Sequence, residues 1–562
     1  MLISLNKKPT FFFERFQNGK CVHPNLPKIT TEESAKQFQP RKSGLKILLI
    51  NPAIRLWSMP NILCIGQAYI ASVAIMDGHK IFPLDLNAER KKPVDDEEQF
   101  KKYSFSRIEE EINKINPDLI GIGGIITQYK RIKEITTFCK NFAPKIPIVL
   151  GGGIATSSPR FMMERLPIDF LIVEEGEITF SEFLYRLENK TDMKGCQNVW
   201  FKDENGEIIA NGKRPSVIDG EFGLDCLPWP ARHLWDVENV YKVNPVGHLN
   251  WESKWNEGKL EDKHSGKFSL SILGTRGCKF NCLYCYKSYL TDGYQKRTPF
   301  DVVSEMKYLK QKYSVSYVHF LDDLFLTDWK WSLSFFNEIK NQNLDIEWGA
   351  TARTNIIYKD KLRAEKQKRP HILELAYETG MRQGCFGVES ASPSVLKAID
   401  KSGQTQETIA WTAKEAMRIF GYFDSSYMIG NIGETKETIQ ETIDFCKKSN
   451  ISVETIFFAQ SFPGTPYWEE ALKRGLIGEA VKGYKCEAND DIIEEYFMKL
   501  GESSENVLTN FSKTLSNEDL IKMGANATEV LSSMNKRHPG LKKEPHTGDL
   551  KKTAVAGNFA DL

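Results

Sequence analysis

Gly274-Thr-Arg-Gly-Cys278-Lys-Phe-Asn-Cys282-Leu-Tyr-Cys285 closes an apolar run and spaces three cysteines as C-x3-C-x2-C. Three thiolates are one too few for a closed structural zinc, which takes four ligands in a tetrahedral shell. The next cysteine, Cys385, falls in a separate strand-like run, and the other cysteines of the eleven are scattered. A four-iron cluster on three cysteines, by contrast, leaves one iron open to a ligand from outside the chain. Cys278, Cys282 and Cys285 are therefore read as the metal ligands of a 4Fe-4S cluster.

With the aromatic Tyr284 directly before the third cysteine, this motif resembles the radical S-adenosylmethionine (SAM) superfamily. The resemblance implies that the open iron chelates the methionine end of SAM. It also implies reductive cleavage to a 5′-deoxyadenosyl radical, with electrons from a donor such as flavodoxin or ferredoxin. In such systems the cofactor carries the hard chemistry, and the protein supplies ligation, orientation and exclusion of side reactions.

At 562 residues the chain exceeds one core, so several domains are expected. A net charge of +1 gives no dominant field for nucleic acid, which argues against nucleic acid as a partner and makes a small molecule the expected substrate. No apolar run approaches the ~20 residues of a membrane span. Phe11-Phe12-Phe13 is too short for a signal peptide's apolar region, and the cysteines form no disulfide framework. The expected compartment is the reducing cytoplasm.

Upstream of the motif the chain alternates. After a polar extension over 1–44, the apolar run Lys46-Ile-Leu-Leu-Ile-Asn51 predicts a buried strand. Helix over 62–76, strand over 80–86, helix over 107–115, strand over 118–123, helix over 129–142 and strands over 148–151 and 169–173 follow. Such alternation predicts a parallel doubly wound sheet over 45–190. Ligands of these sheets sit beyond the carboxyl ends of the strands. There lie Gly121, Gly123 and Gly124, then Gly151, Gly152 and Gly153, then Glu174-Glu175-Gly176-Glu177. None forms the G-x-G-x-x-G of a dinucleotide site.

The segment resembles the cobalamin-binding domain that precedes the radical SAM domain in one large subfamily. Gln67-Ala-Tyr-Ile-Ala, Pro117-Asp-Leu-Ile-Gly-Ile, Leu150-Gly-Gly-Gly and Glu175-Gly-Glu-Ile-Thr-Phe180 carry the likeness. It implies cobalamin contacts at Gly151, Gly152, Gly153, Glu175 and Gly176, with Thr127, Gln128 and the loop from Asn51 to Trp57 as candidates for the lower face of cobalt. The D-x-H-x-x-G run that supplies a lower axial histidine in many cobalamin proteins is absent, and His79, in Asp77-Gly-His-Lys80, reads as a solvated turn residue.

A connector is expected over 191–265, with a hairpin turn at Asp203-Glu-Asn-Gly206. A second alternation runs over 266–470, with strand-like runs ending near Gly274, Asp323, Thr351, Ser390, Gly433 and Ala459. This predicts a partial (β/α)6 barrel with its chemistry on the loops after the strands. A small, mostly helical segment over 471–535 and a disordered tail over 536–562 complete the α/β architecture.

By resemblance, Tyr284 packs near the adenine of SAM, Asp322 or Asp323 together with Arg353 addresses its amine and carboxylate, and Glu389, Ser390 and Asn431 complete the pocket. An internal salt bridge is the competing reading for Arg353, because a buried guanidinium without an acidic partner is costly. Strand side chains alternate, so Cys385, Gly387 and Glu389 share a face. Gly387 then leaves room for the cofactor, and Cys385 is read first as a core residue and second as a participant in the radical chemistry.

The reading that follows is a cobalamin-dependent radical SAM methyltransferase acting on an unactivated carbon. Alternatives are a cobalamin-dependent cyclase or rearrangement enzyme, a methylthiotransferase, and a non-catalytic corrinoid carrier or sensor. Gly430-x-x-Gly-Glu and Pro463-Gly-Thr-Pro favour the methylthiotransferase, whose second cluster would need Cys21, Cys64 and Cys139.

Overall fold

The computed structural model describes residues 11–17, 20–21, 41, 43–54, 62–88, 96–216, 223–241, 268–287, 293–453, 456–500 and 507–532. The chain forms two compact units, Met1–Val243 with Ser288–Thr298, and Asn244–Lys287 with Pro299–Leu562. Among the described residues no helix is long and apolar enough to cross a membrane. The expected tail and the connector residues 217–222 and 242–265 lie outside the described residues.

The first unit is built on strands β1 (Lys46–Asn51), β2 (Lys80–Asp85), β3 (Leu119–Gly123), β4 (Ile148–Gly151) and β5 (Phe170–Ile172). Its helices include α1 (Ile65–Met76), α2 (Glu97–Ile115), α3 (Tyr129–Phe142) and α4 (Glu177–Glu188). The sheet runs β2-β1-β3-β4-β5, all parallel. Ile47, Leu48, Leu49 and Ile50 are all buried, as a central strand covered on both faces requires.

The described parts of the expected connector, 191–216 and 223–241, pack with the first unit. Its hairpin, β6 (Val199–Lys202) and β7 (Ile208–Ala210), extends the same sheet, with β6 antiparallel to β5. Asp203 Oδ1 accepts from the amides of Asn205 and Glu207, both at 2.9 Å, and Gly206 takes φ +83°. Such a turn reverses the chain without a crossover helix. Farther on, Ala231 N donates to Ala68 O at 3.0 Å and Ser72 Oγ to Trp229 O at 2.6 Å, which seats residues 223–241 against α1.

The described part of the N-terminal extension is also integral. Phe12 is fully buried, a contribution of about 2 kcal/mol, and its amide donates to Asp77 Oδ1 at 2.7 Å. Arg41 grips Glu188 through both terminal nitrogens, at 3.0 and 2.6 Å. His79 departs from its expected role as a solvated turn residue. It is 2 % exposed, and its Nδ1 accepts from Leu45 N at 3.1 Å.

Burial, and then the nearby Arg41, lower the His79 pKa to about 3. Its folded pKa thus lies below the unfolded value near 6.5, and the fold prefers the neutral ring. The associated stability is complete above pH 6.5 and is lost as pH falls toward 3, by about 1.4 kcal/mol per pH unit. Urea unfolding at stepped pH should therefore show an acid-sensitive first unit whose slope flattens in His79→Gln. An unchanged slope would show that the ring does not govern this loss.

The second unit is an open sheet of six parallel strands in chain order. They are β8 (Ser269–Ile272), β9 (Tyr317–Phe320), β10 (Glu347–Ala352), β11 (Met381–Glu389), β12 (Asp424–Ile429) and β13 (Ile456–Phe458), the half-barrel that the spacing predicts. Helices α5 (Pro299–Tyr313), α6 (Trp329–Asn341), α7 (Thr354–Gln367), α8 (Gln406–Phe420) and α9 (Lys436–Lys448) stand between the strands. On β11, Phe386 and Val388 are buried among hydrophobic neighbours, while Cys385, Gly387 and Glu389 alternate as half-buried positions. The inner face is polar. Tyr317 donates to Gln383 Oε1 and Gln383 Nε2 to Asp424 Oδ2, each at 3.1 Å.

The C-terminal segment is helical, with α10 (Pro466–Lys473), α11 (Leu476–Lys482), α12 (Asp490–Leu500) and α13 (Asn517–Ser532). It packs on the last strands of the half-barrel. Phe511 N donates to Gly430 O at 3.1 Å, and the Phe511 ring lies 4.3 Å from that of Tyr467.

Candidate functional site

In the first unit the strand order reverses between β1 and β3, which makes their carboxyl ends the natural ligand crevice. Gln67, on α1, reaches this point and donates from Nε2 to Ile50 O at 3.0 Å. Its Oε1 is buried with no partner among the described residues, and a buried acceptor left unpaired costs about 1–3 kcal/mol. Gly151, at the end of β4, has nothing within 4 Å of where a Cβ would stand. Gly152, with φ +84°, has a different task, since a Cβ there would lie 2.7 Å from Gly124 O. An unsatisfied amide oxygen and an open glycine cradle at a sheet's switch point fit a corrinoid, whose rim carries carboxamide donors.

Around the crevice the loops are tied together. Glu174 N donates to Thr156 Oγ1 at 2.7 Å, and Ser216 Oγ to Glu175 Oε2 at 3.2 Å. Gly176 precedes α4, where a Cβ would meet Ile70 Cδ1 at 3.0 Å. Gly153 opens the short helix Gly153–Ser157, and Thr127 is half-buried on the turn Ile126–Gln128. Gln128, expected to face the ligand, has both amide ends engaged. Nε2 donates to Pro52 O at 2.9 Å and Oε1 accepts from Ile125 N at 3.0 Å, so it clamps two loops.

In the second unit the cysteine loop leaves β8. Asp322 holds its root, accepting from Gly274 N at 3.0 Å, from Thr275 Oγ1 at 2.5 Å and from Thr275 N. Burial pushes the Asp322 carboxyl up to about 7 despite these donors. Lys287 gathers the tip, donating to Phe280 O and, at 3.0 Å, to Asn281 Oδ1. All three cysteines are free, and Cys282 is the buried one. Burial raises the Cys278 thiol and pushes that of Cys285 up to about 12. These sulfurs favour the thiolate only when metal charge is supplied.

Among the described residues, one trio of ligating side chains lies within 4.8 Å, namely His371, Glu374 and Glu415. Arg418 already neutralises that trio, 2.7 Å from Glu374 and 2.6 Å from Glu415. The three cysteine sulfurs do not all lie within 4.8 Å of one another, and a 4Fe-4S cluster, unlike a single ion, takes its thiolates on separate irons.

Beside this loop lies a charged network that the motifs did not reveal. Lys401 Nζ donates to Glu389 Oε1 at 2.7 Å and to Tyr284 Oη at 3.0 Å. Its side chain is 5 % exposed. Glu389 takes φ +64°, a backbone conformation of order 1–3 kcal/mol above the common ones for such a residue. Gly387 makes room for this pair rather than for an outside ligand: a Cβ there would stand 2.9 Å from Glu389 Oε1 and 3.2 Å from Lys401 Nζ. Lys401 sits in the turn Asp400-Lys-Ser-Gly403, twelve residues past Glu389 and outside every motif.

Other expected SAM contacts are engaged in loop structure. Asp322 anchors the cysteine loop, and Asp323 is the exposed member of the pair. Ser390 Oγ lies 3.2 Å from Thr442 Oγ1 and accepts from Ser392 N at 3.1 Å. Asn431 donates to Met428 O at 2.7 Å and accepts from Tyr467 Oη at 3.2 Å. Cys385 is half-buried on the inner face, its thiol raised well above the usual value, first by burial and then by Asp424. Arg353 has no carboxylate partner among the described residues, so the internal salt bridge is not formed. It stacks on Phe280, with its carbon centre 3.6 Å from the ring.

These two sites define a radical SAM protein with a B12-binding domain, and comparison with known families agrees. Residues 62–184 match the B12 binding domain and residues 272–446 the radical SAM superfamily. The chain thus belongs to the cobalamin-dependent radical SAM enzymes, with a 4Fe-4S cluster, SAM and cobalamin as cofactors. It is similar to the uncharacterized methyltransferase PH0819 of Pyrococcus horikoshii, 28 % identical over 74 % of this chain and 79 % of that one. Cytidylyl-2-hydroxyethylphosphonate methyltransferase of Streptomyces wedmorensis is 23 % identical over 87 % and 92 %. Among solved structures, the radical SAM methyltransferase TsrM of Kitasatospora setae, with tryptophan substrate and a SAM analog bound, shares the fold at TM-score 0.55. It is 18 % identical and covers 76 % of each chain.

Proposed function

We propose that this chain methylates an unactivated carbon of a small metabolite or natural-product precursor. The observation that carries the reading is the pairing, in one chain, of an incomplete three-thiolate loop with a sheet-end crevice where Gly151 is open and the Gln67 amide oxygen has no partner among the described residues. When bound, the cofactors supply a radical that removes hydrogen from the substrate and a corrinoid that carries the methyl group. The chain's own residues hold these reagents. Lys287 and Asp322 fix the cysteine loop, Lys401 orients Glu389 and Tyr284, and Gln67 offers its unpaired oxygen to the corrinoid rim. The named acceptors of the similar methyltransferases, a cytidylyl phosphonate and tryptophan, support a small-molecule substrate. A flavodoxin or ferredoxin is the electron donor this reading requires.

Methyl-labelled SAM tests the reading. Candidate acceptors should gain the label on carbon, with equal amounts of S-adenosylhomocysteine and 5′-deoxyadenosine. A product altered without gaining label would point instead to cyclisation or rearrangement. Methylthio transfer fits the chain less well, because Cys139 is fully buried within the helix α3 and not on a loop that could wrap a second cluster.

Lys401→Met removes a buried charged donor of about 1.5–3 kcal/mol, so SAM should bind roughly 10–100-fold more weakly while iron content holds. Lys401→Arg should recover part of the loss. Isothermal titration with SAM on the oxidised protein checks this, and unchanged affinity in Lys401→Met would remove Lys401 from the site.

A further inference from the structure

Arg353, at the carboxyl end of β10, is 6 % exposed. A guanidinium that far from water needs an anion, since a buried unpaired charge costs several kcal/mol. No carboxylate supplies one among the described residues. Its contacts are instead Ser402 O at 3.3 Å from Nη2, the face of Phe280, and Cys282 Sγ at 3.4 Å from Nη1, while Nε is buried without a partner among the described residues. The one anion these contacts offer is the cluster ligand itself.

We infer that Arg353 is the counter-cation of the iron-sulfur cluster, donating to the Cys282 sulfur and favouring the reduced state, and that it does not bind the SAM carboxylate. The inference rests on the cluster assignment. Three thiolates and a 4Fe-4S core of charge 2+ sum to one negative charge, and one-electron reduction adds another. A fixed cation at a ligand sulfur therefore stabilises the reduced cluster more than the oxidised one, because hydrogen bonds to sulfur and local charge set cluster potentials. Phe280 holds the guanidinium flat against the loop, a stacking that Arg makes better than Lys.

The test is an EPR-monitored redox titration of the reconstituted full chain without SAM, together with SAM affinity of the oxidised protein. In Arg353→Gln the reduced-to-oxidised ratio at a fixed potential should fall roughly tenfold, about 59 mV for a one-electron couple, while SAM affinity stays within about twofold of wild type, under 0.5 kcal/mol. Arg353→Lys should lie between the two. An unchanged midpoint with SAM binding lost would overturn the inference and assign Arg353 to SAM. If Arg353→Gln takes up no cluster, Arg353→Lys decides by the same two readouts. A wild-type chain that binds no iron would instead remove the cluster assignment, and this inference with it.

Discussion

Serine at Cys282 is expected to abolish 5′-deoxyadenosine formation, to a level more than about a thousandfold below wild type, or roughly 4 kcal/mol of lost transition-state stabilisation. The hydroxyl is nearly isosteric, but it is a hard, weakly acidic ligand where iron requires a thiolate. The fold should survive, because Asp322 and Lys287 hold the loop through its backbone and Asn281 rather than through the cysteines. Corrinoid retention should also survive, since the crevice is built entirely from the first unit. Iron content, visible absorbance and chromatography of the nucleosides check this. Deoxyadenosine formation within tenfold of wild type would contradict the ligand assignment, and a non-catalytic carrier would show no cleavage to lose.

The second large effect separates two adjacent glycines. Gly151→Val places its methyl groups in the open cradle, touching no protein atom at Cβ. Corrinoid binding should weaken by roughly 10–100-fold, the cost of about 1–3 kcal/mol of overpacking, while the melting temperature changes little. Gly152→Ala should do the opposite. With φ +84° and a Cβ 2.7 Å from Gly124 O, it strains the backbone itself and lowers stability by about 1–3 kcal/mol. Corrinoid absorbance after desalting and thermal unfolding distinguish the two. Full corrinoid retention in Gly151→Val would move the ligand away from β4.

The central strands of the first sheet were legible because runs such as Lys46–Asn51 are short, apolar and end in glycine or a polar residue, the signature of parallel strands buried on both faces. The hairpin at Asp203 was legible as a turn, but its sequence does not show that β6 pairs with β5. That pairing depends on a long-range register.

At the sites, the spacing of the cysteines carries its own chemistry. The polar residues at strand ends do not. Asp322, Gln128, Ser390 and Asn431 stand at the expected loops, yet each is committed to neighbouring groups of the fold, because a side chain's direction depends on the turn that follows the strand. Gln67 left a faint trace as an amide inside an otherwise apolar helix. Lys401 left none, since it reaches Glu389 and Tyr284 from a surface-like turn, and only the packed structure shows it buried.

The central claim is that one chain uses SAM both as methyl donor to a corrinoid and as radical source. The most direct measurement is anaerobic reconstitution with iron, sulfide and cobalamin, followed by methyl-labelled SAM and a strong reductant, with products counted against bound corrinoid. The expected result is about one corrinoid per chain, label on that corrinoid, and both S-adenosylhomocysteine and 5′-deoxyadenosine. Deoxyadenosine without S-adenosylhomocysteine, or a chain that retains no corrinoid, would contradict it.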